Sequence, residues 1–417
     1  MPVKAKRISS KRDIARAVDL AARVFSTYYV GVEQWMEMIR LDPGYAPGQT
    51  IAIEENGEFV SQLRISMRHI RLGSEVGLLG GIGDVVTHPA YENQGYASAC
   101  LEQATRFMQE AGCCVSLLTA VRFSFYRRAG WEIAMPDYRL HVETAKAPAA
   151  ALEGYARRRF DLATDLPAVM AVYETYAAQR LFSAVRSEDD WRRQLEFNQK
   201  QPFGGPWGFI KEDPDGFWVI TDSSDSIVAY ARSRPTAERH EVAEAAARDR
   251  RSGLALVSHL AQEYCHRREL VICEPPDGVL GDVALVDCGG SSTVSRRETM
   301  VKIINLRRLF ELMAPLFSER LKRSELAKTR GALRLETEIG AVTLEWDKGA
   351  VAVSGARTGT RVELPHRNLA QVVTGYRLPA SVMAELGRLA EVESAQARAL
   401  EVLFPRAFAY MNRPDSF

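Results

Sequence analysis

The sequence predicts a mixed α/β fold in three parts, and three observations carry that expectation. The first part runs as helix, antiparallel strands, central strand, helix, strand. A similar order begins again after Lys146-Ala147-Pro148-Ala149-Ala150. The pattern then changes near Met300 to short alternating strands and helices. A chain of 417 residues is too long for one comfortable hydrophobic core, so several domains are expected. The boundaries read from these changes are 1–147, 148–299 and 300–417.

In the first part, Ile14, Val18, Ala21 and Phe25 recur at helical spacing within residues 10–29. A Gly/Pro-rich loop follows at 42–48. Gln49–Glu54 and Glu58–His69 read as strands joined by Asn56-Gly57, a strong hairpin signal. Gly77–Thr87 is another strand, and its glycines mark a bulge or a close backbone approach. Residues 97–111 read as a helix and Cys114–Thr119 as a buried strand. This order suits a mixed sheet and not a doubly wound dinucleotide fold.

In the second part, Leu166, Val169, Val172, Tyr173 and Tyr176 mark a helix that Thr164 or Asp165 caps. Phe209-Ile210 and Phe217–Ile220 form a hairpin across Pro214-Asp215-Gly216. Ile227–Ala231 is a strand, Ser252–Cys265 a helix and Leu270–Cys273 a strand. This repeats the plan of the first part but lacks its glycine-bearing loop, so the second copy is expected to be a scaffold. In the third part, Lys302-Ile303-Ile304 leads into a helix at Leu306–Leu312. Strands at Ala332–Glu338, Ala341–Trp346 and Ala350–Ser354 and helices at Leu369–Thr374 and Val382–Gly387 follow, then an apolar stretch at 399–405.

The chain is 46% hydrophobic and 26% charged, with a formal net charge of +1. A nucleic-acid binder needs a concentrated basic field, and none is present. The Arg157-Arg158-Arg159 and Lys322-Arg323 clusters lie close to acidic residues and read as solvated faces. No apolar run reaches the roughly 18 residues of a membrane span, and no apolar stretch follows the basic start. Six cysteines in a chain this long are no disulfide framework, and neither they nor the seven histidines have metal-ligand spacing. A cytoplasmic protein with no metal is therefore expected.

The chemistry concentrates in two segments. The first is Val85-Val86-Thr87-His88-Pro89-Ala90-Tyr91-Glu92-Asn93-Gln94-Gly95-Tyr96-Ala97. A pyrophosphate needs clustered backbone N–H donors, and a glycine-bearing turn at a helix N-terminus supplies them. Gly95 sits in such a turn, and the small Ala97 allows close approach. Pro89 ends the strand Val85–Thr87, whose open edge can pair with an amide-rich arm. The second segment is Phe125-Tyr126-Arg127-Arg128-Ala129-Gly130-Trp131.

Together these segments resemble the GNAT acetyltransferase superfamily. The resemblance implies acetyl-CoA as acyl donor, held by Val85, Val86, Thr87, Glu92, Asn93, Gln94, Gly95, Tyr96 and Ala97. Glu92 departs from the arginines or glutamines usual in that loop. Tyr126 falls where the family places a tyrosine near the thioester sulfur and is the candidate acid. A backbone N–H of Val86 or Thr87 is the candidate donor to the thioester oxygen.

The three-part plan is similar to the Eis (enhanced intracellular survival) subfamily. That resemblance implies a catalytic GNAT domain, a degenerate GNAT-like domain and a sterol-carrier-like (SCP2-like) α+β domain. It implies that the terminal carboxylate of aromatic Phe417 enters the catalytic cleft as base or amine-orienting group. It also implies a homo-oligomer, a hexamer built as a trimer of dimers. Phe25, Ser26, Trp35, Asp415 and Ser416 are the substrate-binding candidates, although Trp35 reads almost as well as a core residue and Phe25, on the apolar stripe of its helix, reads better as one. His69 and His88 are alternative bases, because histidine titrates near neutrality. The expected reaction is acetyl transfer to a small-molecule amine. The competing reading is a non-enzymatic protein that binds CoA or a lipid as a regulatory ligand.

Overall fold

The computed structural model describes residues 4–25, 31–148, 153–200, 214–235, 239–388 and 394–417. The chain opens with β1 (Lys6–Ile8), α1 (Lys11–Val24) and α2 (Val32–Leu41). Ser10 starts α1: its hydroxyl accepts a hydrogen bond from the Asp13 N–H at 3.0 Å. Ile14, Ala17, Val18 and Ala21 form its buried stripe. The strands β2 (Thr50–Glu55), β3 (Glu58–Leu72) and β4 (Glu75–Thr87) follow as an antiparallel meander. Asn56 and Gly57 join the first two with φ of 52° and 80°, the left-handed pair that a tight hairpin requires. Next come α3 (Tyr96–Glu110), β5 (Val115–Ala120), the short α4 (Phe123–Arg128) and β6 (Glu132–Glu143).

The middle of the chain contains β7 (Ala156–Arg159), α5 (Leu166–Ala177), α6 (Glu188–Lys200), β8 (Phe217–Thr221), β9 (Ile227–Pro235) and β10 (His240–Ala247). It continues with α7 (Arg250–Glu263), β11 (Glu269–Ile272), α8 (Val279–Asp282) and β12 (Ser291–Ile303). Asp165 holds the first position before α5 but makes no capping bond. Its carboxylate turns back to Arg158 and the Asp161 N–H. Phe209 and Ile210 lie outside the described residues, and β8 pairs with β7 and β9. The last part has α9 (Leu306–Lys322), β13 (Arg330–Thr337), β14 (Gly340–Asp347), β15 (Ala350–Ser354) and β16 (Thr360–Glu363). It ends with α10 (His366–Val373), α11 (Pro379–Glu385) and α12 (Ser394–Leu403). Pro315 lies inside α9, which runs well past the expected end at Leu312.

The strands form one twelve-stranded mixed sheet, ordered β1-β2-β3-β4-β5-β12-β6-β11-β10-β9-β8-β7. A smaller four-stranded sheet, β15-β14-β13-β16, packs on α9. Among the described residues, parallel pairing in the large sheet is confined to β4 with β5 and β10 with β11. The late strand β12 runs antiparallel between β5 and β6. It also secures the second chemical segment: Lys302 Nζ donates to Ala129 O at 2.9 Å and lies 4.4 Å from the centre of the buried Trp131 ring. Burial pushes the Lys302 ammonium down to about 8.

One buried acid stands apart from the cavity described below. Glu274, just after β11, has both carboxyl oxygens within 2.9 Å of the Tyr176 hydroxyl. Burial raises it from 4.5 to about 8, so the folded protein holds a proton there that the unfolded chain releases. Stability therefore falls as pH rises from about 4.5 towards about 8, and it does not depend on this group above that range. Glu274→Gln is expected to raise the melting temperature relative to wild type more at pH 8 than at pH 5. Thermal melts at the two pH values check this, and an equal shift at both would refute it.

Candidate active site

The site begins where two parallel strands part. β4 and β5 pair only at Leu79↔Val115, Gly80↔Ser116 and Gly81↔Leu117. Beyond that point they no longer pair with each other, although β4 continues to Thr87 on β3 and β5 to Ala120 on β12. The split coincides with a bulge in β4, where its register on β3 jumps from Arg64↔Gly83 to Gln62↔Val86. Asp84 occupies the bulge at φ 54°. Its carboxylate accepts from Arg64 Nε at 2.7 Å and Trp35 Nε1 at 3.2 Å. Arg64 also pairs with Asp42, which Arg68 contacts at 2.8 Å. Burial alone would raise Asp42, but these two guanidiniums outweigh it and hold the carboxyl below its usual range. A fixed ion-pair cluster therefore underlies the bulge.

A cavity of about 1230 Å³ fills the opening. One wall is Ile82–Thr87 of β4, another is Leu118–Ala120 of β5, and α4 and the start of α3 form the rim. Gly95 precedes α3 at φ 85°, and no side chain caps the helix. Nothing lies within 4 Å of where a Gly95 Cβ would stand. The first turn of α3 thus presents backbone N–H groups to open space, the arrangement that binds anions. Glu92, Asn93, Tyr96 and Ala97 share this rim with Arg122, Arg127 and Arg128. Gln94 does not line the cavity, and its side-chain N–H donates to Ala90 O at 3.3 Å. Arg127 is engaged by Glu132 at 2.8 Å.

Tyr126 faces the cavity from α4, edge-on to Phe125 at 4.9 Å between ring centres. Burial pushes its hydroxyl up to about 12 against a weaker pull from Arg122, so it keeps its proton at neutral pH. The far wall is the end of the chain: Tyr410, Met411, Arg413, Ser416 and Phe417. Phe417 lies directly on β4. A side-chain carbon at Gly81 would overlap its ring. One at Gly83 would lie 3.2 Å from its carboxyl carbon and 3.4 Å from Arg64 Nη2. The two glycines leave the room that the ring and carboxyl group occupy. The sequence marked them as a close approach without showing what approaches.

The other sequence candidates are distributed around this centre. Val85, Val86, Thr87, Phe25 and Trp35 line the cavity. Trp35 is also buried and stacks on Phe25 at 5.9 Å, so the wall and core readings both hold for it. Ser26 lies outside the described residues. Asp415 is buried behind the wall and pairs with Arg186. His69 is exposed on β3, and His88 Nδ1 accepts from the Ala90 N–H at 3.2 Å. Neither histidine lines the cavity. Sequence reasoning missed Asp84, Arg64, Asp137, Tyr410 and Arg413, whose roles depend on pairings across the fold. Among the described residues, no three His, Cys, Asp or Glu side chains are grouped to hold a metal ion. Among the same residues, no helix is long and apolar enough to cross a membrane.

Residues 5–134 match the model of an acetyltransferase (GNAT) domain. No curated protein matches the sequence. Solved structures with the same fold cover the chain end to end. One is a probable N-acyltransferase of unknown function from Enterococcus faecalis, 15% identical, with 100% of each chain covered and a TM-score of 0.77. Another is a GCN5-related N-acetyltransferase from Anabaena variabilis, also 15% identical, covering 99% of this chain and 100% of its own, with a TM-score of 0.77. Eis1 from Mycobacterium abscessus is 17% identical, with 100% of each chain covered and a TM-score of 0.69. With the domain match lying over the split strands, the uncapped helix and Tyr126, this chain is an acyltransferase enzyme with a GNAT acetyltransferase domain at its amino-terminal end.

Proposed function

We propose that the protein transfers an acetyl group from acetyl-CoA directly to a primary amine. The observation that carries this reading is that Tyr126 and Phe417 face one cavity opened by the splay of β4 and β5. The cavity fits acetyl-CoA: the uncapped start of α3 suits its pyrophosphate, and the free edge of Val85–Thr87 suits its amide-rich arm. Glu92, Asn93, Gly95, Tyr96 and Ala97 form the phosphate rim, with Gln94 supporting the turn from outside. Arg122 and Arg128 supply positive charge that offsets Glu92.

The amine nitrogen attacks the thioester carbonyl, forming the C–N bond as the C–S bond breaks. Tyr126 gives its proton to the departing sulfur. The terminal carboxylate of Phe417 accepts the proton that the amine sheds, or orients the amine for attack. Its ordinary pKa of roughly 3.5 favours orientation over strong basicity. Phe25, Trp35 and Ser416 form the acceptor wall, with Asp415 acting from behind.

On this reading the chain is Eis-like, with a catalytic unit at 1–147, a degenerate GNAT-like unit at 148–299 and a sterol-carrier-like unit at 300–417. Support comes from the second parallel pair, β10 with β11, and from the end-to-end fold likeness to Eis1. β12 hands the chain from the second unit to the third. A hexamer and a cytoplasmic location accompany this reading. The test is acetyl-CoA turnover against a broad panel of amines, with acetyl-CoA binding measured separately by calorimetry. Turnover of at least one amine is expected. Tight binding with no turnover would replace this reading with that of a regulatory CoA-binding protein.

A further inference from the structure

The large sheet splits twice. β10 and β11 pair in parallel at His240↔Leu270, Glu241↔Val271 and Val242↔Ile272, and β10 then continues to Ala247 paired with β9 but no longer with β11. As in β4, a bulge follows the last parallel pairs, between Val242 and Glu244. The first split encloses the cavity. At the second, the chain's own carboxy-terminal segment packs across β10.

Three side chains pin that segment at this second split. The Tyr410 hydroxyl donates to Cys273 O at 2.7 Å. Arg413 bridges Asp137 of β6 at 2.5 Å and Glu241 of β10 at 3.3 Å. Asp415 is held most firmly. Arg186 Nε and Nη2 donate to its two carboxylate oxygens at 2.8 and 2.6 Å. Nη1 and the same Nη2 of that guanidinium donate to Glu244 at 3.0 and 2.5 Å. Gln194 adds a 2.8 Å bond to Asp415, and Tyr230 a 2.7 Å bond to Glu244. The side chains of Arg186, Glu244 and Asp415 are each at most 1% exposed. Arg186 also lies over the Tyr173 and Trp191 rings, at 4.2 and 4.6 Å from their centres. From the other side, Arg68 of β3 contacts the Asp415 main-chain oxygen at 3.3 Å.

We propose that the split between β10 and β11 is a dock for the chain's own tail, and that Arg186 is a positioning residue for acyl transfer. It fixes Asp415 two residues from the end and so sets where the Phe417 carboxylate meets the amine. A buried bidentate pair gives the angular control that a point charge does not. The second half of the sheet thereby serves the reaction without holding substrate. The proposal rests on the terminal-carboxylate reading of the site.

The test is a double-mutant cycle in the full-length protein. Asp415→Asn, Arg186→Lys and Arg186→Met are each made with Phe417 present and with Phe417 deleted. With Phe417 present, a displacement of about 1 Å is expected to lower kcat on the order of 10–100-fold. Acetyl-CoA affinity should not change. With Phe417 already deleted, the same substitutions should cost no further kcat, because they act only through that residue. Equal losses in both backgrounds would reduce Arg186 to a stabilising role and overturn the proposal. So would an unchanged kcat in Asp415→Asn. If Arg186→Met does not fold, Asp415→Asn and Arg186→Lys decide. If deleting Phe417 alone leaves kcat intact, the terminal-carboxylate reading falls and takes this proposal with it. A large loss on deletion with no effect of Asp415→Asn leaves that reading standing and removes only the dock.

Discussion

Tyr126→Phe is expected to lower kcat by at least about 10²-fold while leaving acetyl-CoA affinity intact, as for loss of a general acid. The substitution keeps the ring that packs against Phe125 and removes only the hydroxyl. With the hydroxyl pushed up to about 12, the acid keeps its proton through the physiological range. Wild-type kcat should therefore show no loss of an acid on the alkaline side before about pH 11. Single-turnover and binding measurements together check the assignment. A fall in affinity with bound-state turnover unchanged would make Tyr126 a binding residue and leave the departing sulfur to another donor.

Deleting Phe417 is the second large effect. It removes the ring from Gly81 and moves the carboxylate away from Gly83. Because the loss falls on positioning, kcat should drop on the order of 10²-fold. Acetyl-CoA binding should persist, since the α3 start and the β4 edge are untouched. Gly81→Val gives an independent check: its side chain displaces the Phe417 ring while keeping the full chain length, and it should reproduce much of the loss. Turnover by the deleted form equal to that of the intact protein would remove Phe417 from the chemistry. The search for a base would then return to the cavity wall, with Asp84 and Asp137 as the acids nearest at hand.

What could be read from the sequence was what depends on local chemistry. Asn56-Gly57 encodes its turn because both residues tolerate positive φ. Gly95 before an amphipathic run encodes an uncapped helix start. The hydrophobic stripe of α1 and the strands β2 to β5 follow from periodicity. Partners distant in sequence were not readable. Glu132–Glu143 did not read as a strand, although β6 lies in the middle of the large sheet with β12 and β11 on its two sides. Asp84 reads as an ordinary strand acid until Arg64 and Trp35 are seen to hold it. Asp165 shows the reverse failure: a good capping residue was claimed by a better partner, Arg158. Asp415 was expected at the substrate, but a buried arginine 229 positions away captures it instead.

The position of β12 has a consequence for how the molecule is made. β5 and β6 are close in sequence, yet the strand between them is Ser291–Ile303. Until that segment leaves the ribosome, β5 has a bare edge, and the Trp131 turn lacks Lys302. The amino-terminal part therefore cannot be completed first, as independent domains usually are. Pairing at such separations is slow, and exposed strand edges invite aggregation in the meantime. A fragment ending near residue 147 would carry the whole acetyltransferase match yet lack the strand that closes its sheet.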